Sequence, residues 1–500
     1  MMRVNSTFSA LRSRSEPQIL FWGLALITLL SIWAGVALNF IYLAGLPLAL
    51  LVVYWATMDI RTLYFLMLAF IPISTEVVLP NGFGTDLPDE ALIIGLFLVS
   101  IPFVLSRVHR ISSQFLLHPI SLLLLLHLAW IFLCTLQSQL LFVSVKYLLA
   151  KTWYIAVFYC LTGYFIDRVE QYQRLFWWVF WPLMFTVLVT MIRHAQSGFS
   201  FAEINFVLWP FYRNHVNYAV LLSLFFPLLW FAPVSYPRFS LRWYAWVGSI
   251  GFLLLAIYFT YTRAAYAAIV MAAGAYVVIR WRLMRPVLGL AGLALLAGFL
   301  YLSYDNNYLD FAPEFNRTIS HEDFGNLMEA TYKMEDISTM ERVYRWVAAF
   351  QMSLDRPWMG FGPGNFVNFY ESYTVTSFQT YVSDNPEGSG VHCYFLMTLV
   401  EQGYLGMIIF IALSFMVLIQ AEKIYHQCSD VFRRRIIMAV SLCTVVMDAF
   451  LLINDMVETD KMGSFFFICM AILVNQDLEN KRSRPAIRAE SHPPDSASPL

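Results

Sequence analysis

The feature that most constrains this chain is the recurrence, along almost its whole length, of apolar stretches as long as a bilayer is thick. A helix rising 1.5 Å per residue needs about 20 apolar residues to cross a hydrocarbon core of about 30 Å, and such stretches follow one another between residues 19 and 474. Of the 500 residues, 59% are hydrophobic and 13% are charged, about half the charged fraction of soluble domains. A water-soluble fold is thereby excluded. The short alternating segments that build outer-membrane barrels are not seen, so the sequence predicts an all-α, polytopic helical membrane protein.

Fourteen transmembrane helices are predicted, over 19–38, 40–56, 63–79, 91–105, 119–136, 147–166, 175–192, 215–234, 243–260, 264–279, 286–301, 391–419, 436–453 and 462–474. A single helix over 243–279 would measure roughly 55 Å, so a turn is required at Tyr261-Thr262-Arg263. Arg3, Arg12 and Arg14 precede an apolar run that continues past signal-peptide length, which predicts an uncleaved first span. With the N-terminus inside, 21 of the 32 Lys and Arg residues fall on the inner side. The bias places both termini in the cytoplasm. Residues 1–18 then form a cytoplasmic N-terminus, 19–302 the first eleven helices, 303–390 a long outer loop, 391–474 the last three helices, and 475–500 a polar tail predicted to be disordered.

A net charge of −1 predicts no nucleic-acid partner. Cys134, Cys160, Cys393, Cys428, Cys443 and Cys469 show no paired spacing, which suggests buried apolar thiols rather than disulfides or zinc ligands. The outer loop holds thirteen Asp and Glu against Arg317, Lys333, Arg342, Arg345 and Arg356. Within it, Ser338-Thr339-Met340-Glu341 has a capping-box pattern. Apolar positions at Met340, Val343, Tyr344, Val347, Phe350 and Leu354 then describe an amphipathic helix ended by Pro357. Gly360-Phe361-Gly362-Pro363-Gly364 follows, a turn that redirects the chain toward the membrane. No internal repeat of the kind that builds two-half transporters is seen.

In such a chain the informative residues are the polar ones a bilayer should exclude. Three clusters stand out, all on the predicted outer face. His392, in Val391-His392-Cys393-Tyr394, opens the twelfth span and is followed by Glu401, Gly403 and Gly406; the two glycines share one helix face and permit close helix packing. A half-desolvated imidazole at that edge suits a general base, though an interfacial histidine can equally cap a helix. Arg263, in Tyr261-Thr262-Arg263-Ala264-Ala265-Tyr266, has no acidic residue nearby in sequence and suits a phosphate; the alternative is an arginine snorkelling to the interface. Tyr212-Arg213-Asn214-His215-Val216-Asn217 brings Arg213, His215 and Asn217 to the start of the eighth span. Lys146 and Lys151 defy the positive-inside bias and extend the same cationic patch. Fixed cations beside a histidine suit cleavage of a diphosphate ester, the cations stabilising the departing diphosphate while the histidine takes a proton from an attacking hydroxyl. No Asp-x-Asp motif occurs in the loop; Asp384 and Glu387 are the one acidic pair near His392 in sequence, and no metal or cofactor is implied.

These residues resemble the O-antigen ligase and O-antigen polymerase-like membrane proteins. His392-Cys393, nine residues, Gly403, two residues and Gly406 have the spacing of the signature around that family's essential histidine, with Cys393 where the family has Asn, Ser or Gln. Arg213-Asn214-His215-Val216-Asn217 and Thr262-Arg263-Ala264-Ala265 resemble two further family segments. Glu341-Arg342, Trp346, Ala349, Pro357, Gly360 and Gly362 resemble its loop helix and turn. The resemblance covers roughly residues 205 to 410. It implies an undecaprenyl-diphosphate-linked glycan donor, a metal-independent glycosyltransferase of GT-C-like type, and His392 as base with Arg263 and Arg213 on the diphosphate. Supporting roles fall to His215, Asn217, Lys146, Lys151, Arg342 and Glu401. It also implies the bacterial inner membrane, an active site facing the periplasm, and a flippase and chain-length regulator as pathway partners. The acceptor is a glycan, for a polysaccharide polymerase, or lipid A core or protein, for a ligase; fourteen spans and the long loop favour the polymerase.

Two other classes compete. A lipid-linked sugar flippase is favoured by Asp448 and Glu401 within spans, but a transporter lines its path at several depths, and here the polar clusters keep to one face. A non-catalytic assembly partner is the third.

Overall fold

Helix boundaries in this chain follow its caps and breakers. The structure, a computed structural model, describes residues 21–23, 25–38, 43, 46–78, 84–106, 112–231, 236–305, 307, 337–374 and 388–491. The predicted N-terminus 1–18, the acidic pair Asp384 and Glu387, and residues 492–500 of the tail lie outside the described residues. The principal helices are α1 (Leu46–Phe70), α2 (Asp89–Ser106), α3 (Pro119–Leu136), α4 (Leu141–Phe165), α5 (Val169–Gln196), α6 (His215–Trp230) and α7 (Leu241–Tyr258). They continue with α8 (Arg263–Arg280), α9 (Met284–Ser303), α10 (Ile337–Asp355), α11 (Tyr394–Gln427), α12 (Val431–Leu451) and α13 (Asp460–Ser491). Asn214 caps α6 by accepting the Asn217 amide at 2.9 Å, Ser240 caps α7 through the Trp243 amide, and Asp430 caps α12 through Arg433 at 2.6 Å.

Among the described residues eight helices are long and apolar enough to cross a membrane, fewer than the fourteen predicted. The shortfall has local causes. The second and third predicted spans merge into α1, which is non-helical at Asp59 (φ −147°, ψ 76°). Asp59 accepts hydrogen bonds from the amide and hydroxyl of Thr62, so it ends one half and caps the other. The third span also stops at Phe70 rather than residue 79, because Thr75–Val78 pairs antiparallel with Gly84–Leu87 in a short hairpin, β1 and β2. Among the described residues, regular structure other than helix is confined to this ribbon. α6 has 16 residues, and α12 carries Arg433, Arg434 and Arg435 in its first turns. α7 and α8 are separated at Tyr261, which takes φ 52°, as the length argument requires.

The last helix also departs from the sequence reading. α13 runs through residues 475–491, which the sequence assigns to a disordered tail. Its polar residues find partners: Asn475 donates to the carbonyls of Gly163 and Ile166, Asn480 to that of Ile424, and buried Asp477 lies 3.4 Å from His118. α13 is the centre of the bundle, with 89% of its apolar stretch enclosed, whereas α9 lies at the edge with 6%. All six cysteines are free.

Helix ends gather at two levels. At one, the end of α8 meets α11 through Ile279 and His426, the start of α9 meets α11 through Met284 and Glu422, and Arg433 of α12 reaches Asn480. At the other lie the starts of α4, α6, α8, α11 and α13, the hairpin and α10. Lys461 of α13 donates there to the carbonyls of Ser74 and Phe211.

Candidate functional site

The second level is where the predicted polar clusters meet, and a break in α11 organises it. α11 is interrupted at Gly403 (φ 72°, ψ −176°), a conformation essentially restricted to glycine. Broken helices strand backbone groups that a membrane interior cannot satisfy. Here the glycine-rich turn supplies them: Phe361 N–H donates to Val400 O at 2.9 Å, Gly362 N–H to Glu401 O at 3.0 Å, and Tyr404 N–H to Pro357 O at 2.8 Å. Trp130 Nε1 donates to Gln402 O at 2.9 Å. The backbones approach so closely that a Cβ on Gly360 would meet Val400 O and one on Gly403 would meet Trp358 O. Gly403 thus serves a helix break that receives the turn, not the helix-on-helix contact that its spacing from Gly406 suggests.

Glu401 completes this joint. Its buried carboxyl group accepts the amides of Gly364 at 2.8 Å and Phe366 at 3.2 Å, so it holds the turn. The turn in turn fixes α10, which begins at Ile337, one residue before the predicted cap Ser338. Tyr344, Val347 and Phe350 are buried as the periodicity predicts, while Val343 is half-buried and Leu354 exposed. Val347 and Phe350 pack on Phe299 and Leu302 of α9.

His392 lies just before α11, with φ 56° and its Nδ1 buried without a hydrogen-bond partner among the described residues. Its backbone N–H donates to Asp455, whose carboxylate lies directly over Gly390. Burial first, then the charges of Arg345 and Arg342 on α10, hold the His392 imidazolium down to about 3, so the ring is neutral at neutral pH. Burial raises the Asp455 carboxyl, and nearby Glu458 adds to the rise while Arg345 opposes it. The charge of Arg342 also acts on His215, and its Nε donates to Ile453 O at 3.3 Å.

Of the other predicted site residues, His215 sits at the start of α6 with Nδ1 3.0 Å from Asn205 Oδ1. Thr262 Oγ1 contacts the His215 carbonyl at 3.5 Å, which brings half-buried Arg263, the first residue of α8, beside α6. Asn217 is half-buried on the first turn of α6. Arg213 turns elsewhere: its side chain is 66% exposed and faces Glu76 of the hairpin at 3.9 Å. Lys146 is exposed. Lys151 does not extend an open cationic patch, because it is buried and paired with Glu458 at 2.7 Å. The residues the sequence reading passes over as site members are Arg345 and Asp455. Arg345 was detectable as the position one helical turn beyond Arg342; Asp455 carried no local signal. Among the described residues no group of three or more His, Cys, Asp or Glu is arranged to hold a metal ion.

The structure is thus a helical bundle of membrane-protein type that gathers His392, Arg342, Arg345 and Arg263 toward one end. More particularly, residues 248–411 match the family model described as O-antigen ligase, and the match supports an O-antigen ligase/polymerase-like family. The matched third of the chain carries Arg263, Arg342, Arg345, His392, Glu401 and Gly403, and leaves out Arg213, Lys151, Asp455 and Glu458. No curated protein matches the chain.

Proposed function

We propose that this protein transfers a glycan from a polyprenyl diphosphate to an acceptor hydroxyl at the periplasmic face of the inner membrane. The observation that carries the reading is a buried His392 whose Nδ1 has no hydrogen-bond partner among the described residues and which lies within the field of Arg345 and Arg342. The acceptor oxygen attacks the anomeric carbon of the donor sugar, and His392 takes the hydroxyl proton. The bond from that carbon to the phosphate oxygen breaks, and its electron pair leaves with the diphosphate, whose charge the arginines of α10 and Arg263 stabilise. Arg213 lies outside this role because its side chain faces Glu76.

The arginines have a second effect. In the free protein burial, with their field added to it, makes His392 a weak base. A bound diphosphate offsets that field, so the imidazole gains basicity as the donor arrives. Stabilisation by guanidinium groups also gives the reaction a route without a metal ion.

A polymerase, with a second lipid-linked glycan as acceptor, suits the docked outer loop. The matched family's name favours the ligase reading, with lipid A core or protein as acceptor. Purified protein in lipid, given a synthetic polyprenyl-diphosphate oligosaccharide, tests both. A product ladder lost in His392→Ala establishes a polymerase using this histidine. Donor consumption only on adding lipid A core or protein establishes a ligase. Absence of transfer with every acceptor refutes the reading and returns the flippase to the front.

A further inference from the structure

One buried cluster beside the site has no part in the chemistry above. Glu458 Oε1 accepts three hydrogen bonds: from Lys151 Nζ at 2.7 Å, Tyr147 OH at 2.8 Å and Tyr394 OH at 2.8 Å. Lys151 also donates to the Tyr394 hydroxyl at 3.2 Å. Three separate elements contribute, since Tyr147 and Lys151 come from α4, Tyr394 opens α11, and Glu458 lies in a 3₁₀ turn, Met456–Glu458, between α12 and α13. The Tyr394 ring is fully buried and packs edge-on against Phe410 at 4.7 Å.

A buried ion pair is a poor device for stability, because desolvation offsets much of its attraction. What it provides is a fixed geometry. Tyr394 stands two residues after His392, and His392 holds a left-handed backbone that a non-glycine residue keeps only where its surroundings over-determine it. The segment between α12 and α13 holds both residues: Asp455 takes the His392 N–H, and Glu458, three residues on, accepts from the side-chain hydroxyl of Tyr394.

We infer that Lys151 and Glu458 are positioning residues for His392, acting through the Tyr394 hydroxyl to set where the imidazole stands against the arginines of α10. The inference rests on the glycan-transfer reading for its kinetic consequence, but not for its structural one. Displacing a reacting group by about 1 Å costs on the order of 100-fold in rate, whereas the arginines that hold the donor belong to α10 and α8 and stay in place. Loss of the clamp therefore lowers kcat and leaves the donor KM unchanged.

The test uses the full chain in lipid and two variants. Tyr394→Phe keeps the ring and removes the hydroxyl. Lys151→Met with Glu458→Gln removes both charges together, so neither is left buried alone. Expected are a fall in kcat of about 10- to 100-fold at unchanged donor KM, and faster hydrogen exchange confined to the peptide over residues 390–396. Wild-type kcat and exchange in both variants would overturn the inference. So would a lowered melting point with exchange accelerated throughout the bundle, since that is the signature of a merely structural pair. If the wild type transfers no glycan to any acceptor, the functional reading fails and the exchange measurement alone decides the positioning role.

Discussion

Gly403→Ala tests whether the break in α11 is what fixes the site. Two costs arise if the backbone stays in place. At φ 72° and ψ −176°, alanine incurs about 1–3 kcal/mol of backbone strain. Its Cβ would also sit 2.7 Å from Pro357 O and closer still to Trp358 O, an overpacking of about 1–3 kcal/mol more. The alternative is to release the turn, forfeiting the three backbone hydrogen bonds from Phe361, Gly362 and Tyr404, at about 1 kcal/mol each. The cheaper route sets the loss, so about 3 kcal/mol is expected, accompanied by undocking of residues 357–364. Thermal unfolding in detergent reads the first effect, and hydrogen exchange over 357–364 reads the second. Glycan transfer should fall with them, because α10 carries Arg342 and Arg345. Gly248→Ala is the control: that glycine lies in α7 with nothing within 4 Å of a new Cβ, and it should be neutral or slightly stabilising. A Gly403→Ala protein with wild-type melting and wild-type exchange over 357–364 would refute the reasoning.

Further outcomes can be checked with the same preparation. His392→Ala should abolish transfer without lowering the melting point; retained activity removes the general-base assignment. His392 is neutral above about pH 3 in the free protein, so kcat/KM should show no acid limb from this group between pH 4 and 8. Arg345→Gln relieves one of the charges that depress it, so the imidazole protonates at higher pH and an acid limb should move up toward this range; a profile that does not move contradicts the electrostatic account. Glu401→Gln removes one of the two carboxyl oxygens that accept the Gly364 and Phe366 amides and should cost about 1–3 kcal/mol, read as a lower melting point with the turn more exchangeable than the bundle. Transfer should persist in excess EDTA, and full loss restored by a divalent cation would overturn the metal-independent scheme.

Much of the fold was legible because a bilayer punishes misplaced polarity. Apolar runs located most helices, the 3.6-residue period located α10 almost to its ends, and His392 and Arg263 drew notice as polar residues at helix starts. What the sequence concealed depends on partners distant along the chain. Lys151 reads as an outward cation until the fold brings Glu458, 307 residues away, against it. Residues 475–491 read as a solvated tail because Asn475 and Asn480 find their acceptors on other helices. Glu401 looked like a candidate for chemistry, and only the path of the turn shows it holding the Gly364 and Phe366 amides. Asp59 falls between the second and third predicted spans, and the break placed there survives as a non-helical residue inside one longer helix.

Apart from the Glu401 carboxyl and the Trp130 indole, the joint between the turn and α11 is built from main-chain groups, and that decides what evolution can vary there. Amides and carbonyls are common to nearly every residue type, so side chains at this contact are free to drift while the positions lacking a Cβ are not. Descendants of such a scaffold would keep islands of histidine and spaced glycines in a sea of interchangeable apolar letters. Ancestry in this architecture is thus written in intervals more than in words, and comparing the distances between a few fixed positions would trace it further than scoring residue identity.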